Sequence, residues 1–539
     1  MTWKYILGTK LKAVKTFLQK KRVMAFLAGA FLSLAFAPIY FFLAPPISFS
    51  IFYFLLEEER GKKREVFWLG FFFGFGHFLC GIYWIAISLL IDAAQFGWLI
   101  PFALTIIPSA LACYFGLLAL SYKFLLKKFQ INFAYQKLLV FSLLFVIAEV
   151  LRSNLFSGFP WNLLGYAWMF EPHFAQLGSV FGIYGLSFFA VLIGLSPTLF
   201  WKRKSSVGDK IFAAFLLCFF LVNFLFGYFY IDDKKIITDS DTKIRLIQAN
   251  IKQEMKWADG QKRDNFLKHI YATNQKNIDD IDVVIWSETS VPYVINDDEA
   301  LLEYMRQAVP NKGILITGGL RLKRNELEEK KFPDVWNSIF VVSNAGITQH
   351  YDKHHLVPFG EFVPLHRYLS FLYLSEAVDA ITGGGKGFSE GEGPQTLMAE
   401  SFTFSPLVCY EAIFSSEVVD KKHLPDIFVN LTNDAWFGNS SGPYQHFDMA
   451  RMRAIEYGIP LIRVAGTGIS ALVDPFGRVV AKLGLNEEGM IDMKLIKNSQ
   501  TTIYATYGQL PFLILFFLTL VILIVSLQRR HAHKKNHTH

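Results

Sequence analysis

One cysteine stands apart in this chain. Cys409 ends an apolar run, Ser405-Pro406-Leu407-Val408-Cys409, and is followed by Tyr410 and Glu411. A thiol at a strand end beside polar residues reads either as a buried structural group or as a nucleophile. Two other stretches bear on that choice. Residues 282–288 form an apolar strand ending in a carboxylate, Glu288, and residues 350–361 supply an ammonium, Lys353, and a second carboxylate, Glu361. In α/β sheets the carboxyl ends of strands converge on one crevice. A thiol, a carboxylate and an ammonium gathered there make an acyl-transfer site. The carboxylate takes the thiol proton; the ammonium favours the thiolate and stabilises the oxyanion. Taken singly, Glu288 and Lys353 are ordinary surface residues.

The elements that must position these groups lie in a polar segment. Residues 240–500 hold 27 Lys and Arg against 34 Asp and Glu, a net charge of −7, while the rest of the chain carries +15. Short apolar runs at 244–248, 283–286, 313–317, 338–342, 402–409, 427–430, 461–464 and 470–473 read as strands. Amphipathic stretches at 261–276, 297–309 and 444–457 read as helices. The alternation predicts a globular α/β domain large enough to bury a substantial core.

The flanking sequence is of another kind. The chain has 539 residues, 53% hydrophobic, 16% aromatic and only 18% charged, against about 25% charged in soluble globular proteins. This composition excludes disorder and speaks against a purely soluble enzyme. A membrane-crossing helix needs about 20 mostly apolar residues. Such runs fall at roughly 23–38, 39–56, 66–90, 98–122, 138–151, 174–200, 211–231 and 509–527, about eight spans. Basic residues concentrate in alternate connections, at 20–22, 60–64, 123–137, 202–210 and 529–535; the segments 90–98 and 152–173 hold only Arg152. That asymmetry predicts both termini in the cytoplasm and residues 232–508 on the opposite side. It also accounts for the basic excess without nucleic acid. A signal peptide over residues 1–37 is a competing reading that leaves 232–508 on the same side. The expected domains are a transmembrane bundle of about seven helices at 1–235, an outer catalytic domain at 236–505, and a last span with a basic tail at 506–539.

The order Trp286-Ser287-Glu288, then Lys353, then Cys409-Tyr410-Glu411 resembles the Glu-Lys-Cys triad of the carbon–nitrogen hydrolase (nitrilase) superfamily. The membrane frame narrows the likeness to the apolipoprotein N-acyltransferases, the family that completes bacterial lipoprotein maturation. Further matching stretches are Gln248-Ala249-Asn250-Ile251 with Trp257, residues 355–361, Asn433-Asp434-Ala435-Trp436-Phe437-Gly438, and Gly158-Phe159-Pro160-Trp161. The resemblance covers about residues 20–527. Ser287 and Gly466 depart from it, standing where proline and asparagine are expected, and neither departure removes a chemical group.

The resemblance implies a four-layer α-β-β-α sandwich beside the membrane bundle. It implies Glu288 as general base, Lys353 as oxyanion stabiliser and Cys409 as nucleophile. Glu361 would support the lysine, and Trp257, Tyr410 and Glu411 the pocket. It implies acyl transfer from a phospholipid, with phosphatidylethanolamine expected as donor, to the N-terminal amine of a diacylated apolipoprotein at the bacterial inner membrane. The catalytic domain would face the periplasm. Apolar loop material at 357–359, 369–374 and 436–437 is expected to meet the acyl chains.

No nucleotide or metal site reads out of the sequence, so no cofactor is expected. The stretch 383–387 lacks P-loop spacing. Four histidines near the C-terminus read as part of a solvated basic tail. Cys80, Cys113 and Cys218 lie in apolar runs and read as small core residues. Glu149 reads as the structural partner of Arg152, and His77 and Trp84 as packing residues. Two other functions share parts of this pattern. A membrane-tethered amidase would use the same triad but release acyl groups to water. A transporter or sensor would use the outer domain only for binding, and the few charges within the spans argue against it.

Overall fold

The structure, a computed structural model, describes residues 20–60, 62–200, 206–231, 241–256, 258, 260–296, 298–323, 334–358, 360–362, 387–496 and 501–536. It divides into two compact units. One comprises residues 1–231 with 506–539, the other residues 232–505.

The first unit is helical. Five of its described helical stretches are long and apolar enough to cross a membrane: Ala93–Lys128, Ala134–Asn154, Gly178–Phe200, Val207–Tyr230 and Leu510–Gln528. The sequence pointed to about eight. The other three expected spans fall on helices Lys21–Leu32, Ala44–Glu58 and Lys63–Gly81. The first two have 12 and 15 residues, short for a full crossing. In the third, glycines, Trp68, His77 and a charged first turn dilute the apolar character. Helix Lys63–Gly81 packs closely on Ile100–Lys128, where a Cβ at Gly70 would collide with the main chain of Phe115. Small residues at such contacts let helices approach where lipid supplies no hydrophobic drive. Cys80, Cys113 and Cys218 are not core residues; all three lie on exposed helix faces. A lipid-facing surface is as apolar as a core, so hydropathy alone does not separate the two.

Glu149 and Arg152 are both buried, and both hold the following loop. Leu164 N donates to Glu149 Oε1 at 2.7 Å, and Arg152 Nη1 donates to the carbonyls of Phe159 and Trp161 at 2.5 and 2.7 Å. Trp84 packs on Trp161 with ring centroids 4.5 Å apart.

The second unit contains strands β1 (Lys243–Gln248), β2 (Val283–Ile285), β3 (Ile314–Lys323), β4 (Asp334–Ser343), β5 (Gly346–Asp352), β6 (Leu397–Ala399), β7 (Phe402–Val408), β8 (Ile427–Thr432), β9 (Leu461–Ala465), β10 (Ser470–Val473), β11 (Val479–Leu483) and β12 (Gly489–Lys494). They form two six-stranded sheets, ordered β12-β1-β2-β3-β4-β5 and β11-β10-β9-β8-β7-β6. The central strands β1, β2 and β3 run parallel, as do β7, β8 and β9; the outer pairings are antiparallel.

Alternation of side chains sorts the apolar residues into three layers. Ile244, Leu246, Ile285 and Ile316 of the first sheet meet Phe404, Val429, Leu431 and Val464 of the second. On the outer face of the first sheet, Val284, Leu315 and Phe340 pack against Phe266, Ile270 and Met305 of helices Lys262–Asn274 and Glu299–Arg306. On the outer face of the second, Phe428, Leu461 and Val473 pack against Phe447, Ala450 and Ala454 of helix Gly442–Tyr457. The result is a helix–sheet–sheet–helix sandwich.

The strand runs read from the sequence are present, with β3 and β4 longer than their apolar segments. β5, β6, β11 and β12 went unread. They lie at or next to sheet edges with partly exposed residues, so their apolar alternation is weak.

Arg245 ties the edge of the first sheet to its helix layer. The side chain is 1% exposed. It donates to Asp492 of β12 at 2.7 and 2.9 Å and to the Thr273 carbonyl at 2.6 Å. Removing the buried Arg245 leaves the Thr273 and Lys276 carbonyls without their donor. Arg245→Ala is expected to lower stability by about 2 kcal/mol, measured by denaturant unfolding of the purified protein.

Candidate active site

Strand β7 ends at Val408, and Cys409 opens a helical turn, Cys409–Ile413. The turn forces Cys409 into left-handed backbone, φ 50°. A non-glycine residue there is strained and persists only when its surroundings hold it.

The holding group is Glu411, 0% exposed. Its Oε2 accepts from Val408 N at 2.7 Å, directly before the nucleophile candidate. Its Oε1 accepts from His354 N at 2.8 Å and from the Tyr351 hydroxyl at 2.8 Å. One carboxylate thus joins the end of β7 to the segment leaving β5, which carries Lys353. Tyr410 is buried beside His355 and Phe414, with ring centroids 5.9 and 5.1 Å away.

Lys353 is 1% exposed. Burial pulls its proton affinity down. The charges of Glu361 and Glu288 outweigh that and hold it above the ordinary lysine value. Its Nζ lies 2.7 Å from Glu361 Oε1. The other Glu361 oxygen accepts from Val357 N at 2.8 Å. Asn337 Nδ2 donates to Glu288 Oε1 at 2.8 Å and to Glu361 Oε1 at 3.4 Å. Glu288 Oε2 is buried with no hydrogen-bond partner among the described residues. That oxygen is free to take a proton.

Glycine is required behind Glu288. A Cβ at Gly318 would come within 2.8 Å of Glu288 Cα.

Around the sulfur, Thr432 Oγ1 donates to Cys409 Sγ at 3.3 Å. Burial is the main force on the thiol and raises its pKa to about 12; Glu288 adds to the rise, and Lys353 and Thr432 oppose it. The resting group is therefore the thiol, and attack requires a base in the same step. Behind it lies a buried network. Arg463 donates to both oxygens of Asp434 at 2.9 and 3.0 Å, and His446 Nδ1 sits 2.9 Å from Asp434 Oδ1. His446 Nε2 lies 3.2 Å from the Cys409 carbonyl oxygen.

Glu288, Lys353, Glu361, Cys409, Tyr410 and Glu411 thus fall in one region at the carboxyl ends of β2, β5 and β7. Trp257 lies outside the described residues, as do Phe359 and residues 369–374. Trp436 is described and half-exposed. The sequence reading missed Asn337, Thr432, His446 and Lys256. Asn337 and Thr432 lie in or beside apolar strands, where a polar residue marks a satisfied partner, and that signal was available. Among the described residues no group of three His, Cys, Asp or Glu side chains is placed to hold a metal ion.

The sandwich and its strand-end thiol agree with a family comparison. Residues 243–503 match the family described as carbon–nitrogen hydrolase, and residues 28–196 match the apolipoprotein N-acyltransferase N-terminal domain. Apolipoprotein N-acyltransferase of Rickettsia prowazekii is 36% identical over 518 residues, covering 94% of this chain and 99% of the relative. That of Brucella melitensis is 34% identical over 494 residues, covering 88% and 90%. A solved CN-hydrolase superfamily protein of Xanthomonas campestris aligns with 51% of this chain and 96% of its own at 18% identity, TM-score 0.35. The chain belongs to the apolipoprotein N-acyltransferase family.

His354 links this site to pH. Burial lowers its proton affinity, but the carboxylates of Glu411, 2.7 Å from Nδ1, and Glu417, 3.7 Å from Nε2, outweigh it and raise the pKa to about 9. A raised histidine pKa contributes stability that is complete below the ordinary value of about 6.5 and is lost as pH rises through about 9. His354→Gln is expected to lower stability on the order of 2 kcal/mol at pH 6. In thermal melts the gap to the unsubstituted protein should close towards pH 10.

Proposed function

We propose that this protein transfers an acyl chain from a phospholipid, through a thioester on Cys409, to the N-terminal α-amine of diacylglyceryl-cysteine on apolipoproteins. Full-length similarity to relatives named for that activity carries the reading. The clustering of a buried thiol, a carboxylate oxygen with no partner among the described residues and a buried ammonium supports the chemistry.

The reaction is ping-pong. Cys409 Sγ attacks the donor ester carbonyl while its proton passes to Glu288. The oxyanion forms against the Lys353 ammonium, which Glu361 holds in place. The ester C–O bond breaks, and Glu288 returns the proton to the leaving lysophospholipid oxygen. In the second half, the acceptor α-amine attacks the thioester carbonyl. With a reference pKa of about 8, an appreciable share of that amine is unprotonated near neutrality. Glu288 takes the proton released as the amide forms, the C–S bond breaks, and the proton returns to sulfur. Tyr410 and Glu411 support the nucleophile turn, and Trp257 is assigned to the pocket by the family likeness.

The membrane arrangement of this reading is about eight spans with both termini cytoplasmic and the catalytic domain periplasmic, at the bacterial inner membrane. The basic residues at 20–22, 60–64, 123–137, 202–210 and 529–535 support it. Bundle, catalytic domain and last span correspond to residues 1–235, 236–505 and 506–539. Phosphatidylethanolamine is the proposed donor.

The test is intact-mass analysis after incubation with phosphatidylethanolamine in detergent. An acyl-sized gain, removed by hydroxylamine, discharged by a diacylglyceryl peptide and absent from Cys409→Ala, is the expected result. Free fatty acid in place of an acylated peptide would identify a hydrolase instead. Removing one oxyanion donor costs about 3–4 kcal/mol in other acyl-transfer enzymes. A folded Lys353→Ala protein should therefore turn over at least about a hundredfold more slowly, and near-normal turnover would refute the assignment.

A further inference from the structure

A second lysine lies beside Glu288 and takes no part in the chemistry above. Lys256 ends the short helix Gln253–Lys256 after β1 and is 8% exposed. Its Nζ donates to the main-chain oxygen of Glu288 at 2.9 Å. A lysine ammonium carries three donors. Among the described residues this is its one acceptor, and no carboxylate lies within ion-pair distance. Lys353, equally buried, has Glu361 at 2.7 Å. A buried cation with no counter-ion among the described residues is costly. Burial lowers its pKa to about 8 against the opposing charges of Glu288 and Cys409, so it remains mostly cationic at neutral pH.

Lys256 forms part of the wall of a cavity lined also by Ser287, Thr289, Asn433 and Gly466 and by the apolar Ala249, Ile251 and Pro292. No described carboxylate lines it. His269, its other titratable group, is pulled down to about 4, chiefly by burial, and is neutral. The Ser287 and Thr289 hydroxyls make no hydrogen bond with a described residue. A Cβ at Gly466 would make ordinary contact with Asn433 Oδ1 at 3.5 Å and Ser287 Oγ at 3.7 Å, without a clash. Among the described residues the wall therefore offers one cation without a counter-ion and two hydroxyls without a partner, which suits an anion.

We infer that this cavity binds the phosphodiester of the acyl donor, with Lys256 as its counter-ion and Ser287 and Thr289 as hydrogen-bond donors. The inference rests on the phospholipid-donor reading. Charge selects donor over acceptor: the acceptor N-terminus is an amine, which an ammonium repels when protonated, whereas a phosphodiester is anionic at every working pH. The cavity is beside Glu288, and Lys256 is close enough for its charge to act on the Cys409 sulfur. A donor with its ester carbonyl at that sulfur has its phosphate only a glycerol unit away. Glu288 then stands between two substrate sites, its carboxylate serving the thiol and the amine, its main-chain oxygen anchoring the cation for the phosphate.

The test compares two donors on the same full-length preparations in detergent: phosphatidylethanolamine, and a p-nitrophenyl ester of the same fatty acid, which has no phosphate. Cys409 acylation at subsaturating donor is followed by intact mass for the unsubstituted protein, Lys256→Gln and Lys256→Arg. The expected result is that Lys256→Gln loses at least tenfold more rate on the phospholipid than on the phosphate-free ester, with Lys256→Arg recovering part of the difference. A misfolded fraction lowers both donors alike and leaves the ratio unchanged. Equal losses on both donors would overturn the phosphate site and make Lys256 a positioning group for Glu288. No acylation of the unsubstituted protein by phospholipid, with acylation by the activated ester, would instead overturn the donor reading itself.

Discussion

The site depends on one buried carboxylate. Glu411 accepts from Val408 N, His354 N and the Tyr351 hydroxyl, and so fastens the end of a strand in one sheet to the end of a strand in the other. The two sheets also meet through aliphatic and aromatic side chains, and through hydrogen bonds of Gln248 with Ser470 and of Gln349 with the Met398 main chain. Apolar packing sets their spacing but tolerates small sliding, because dispersion contacts are many and individually weak. A buried carboxylate tolerates much less, since a lost donor leaves it unsatisfied in a low-dielectric interior. Glu411 therefore fixes the register between the nucleophile candidate and Lys353, and it stabilises the left-handed Cys409 backbone by anchoring the residue before it.

Charge placement follows from the same desolvation. Two carboxylates, Glu288 and Glu361, share the region with two ammoniums, Lys353 and Lys256, but the pairing is unequal. Lys353 is locked to Glu361 and stays charged throughout any working pH range. Glu288 is held by Asn337 through one oxygen only, which keeps the other available. The thiol, raised by burial, rests protonated. In the reaction proposed above, the sulfur of such a site stays unreactive until a substrate carbonyl brings negative charge next to Lys353, and base and oxyanion stabiliser act in one step, where an idle thiolate would be exposed to side reactions.

Much of this arrangement was legible in the sequence because the chemistry sits at the ends of apolar runs. Glu288 ends the run of β2 and Cys409 follows β7, so apolar patterning located two groups 121 positions apart, whereas Lys353 follows the unread β5 and was singled out as an ammonium beyond the 338–342 run and by the family resemblance. What stayed hidden had no such edge. Asn337 and Thr432 are polar residues in strand positions, meaningful only once a partner from another strand is known. Lys256 lies in a four-residue helix with no periodicity. β5 and β12 are half-exposed edges whose side chains alternate poorly. In the membrane unit the same ambiguity runs the other way: Cys80, Cys113 and Cys218 sit in runs as apolar as any core, yet face outward, because the hydropathy of a residue facing lipid and one facing a neighbouring helix is the same.

The network behind Cys409 bears on how such a strained residue is kept. Asp434 is buried, but the charge of Arg463 and the hydrogen bond to His446 outweigh burial and hold it ionised. Burial is the main force lowering the His446 pKa, against its hydrogen bond to Asp434. Its Nδ1 lies 2.9 Å from Asp434 Oδ1 and 3.0 Å from Arg463 Nη2, and its Nε2 lies 3.2 Å from the Cys409 carbonyl oxygen. The orientation of that ring is thus set by a residue two strands away. Thr432 touches both Asp434 and the sulfur, each at 3.3 Å. The nucleophile candidate is consequently gripped at its sulfur and its carbonyl by one hydrogen-bonded unit, and at the preceding amide by Glu411. With its sulfur, its carbonyl and the preceding amide all held, the cost of left-handed backbone at this one residue, on the order of 1–3 kcal/mol, is absorbed by the scaffold.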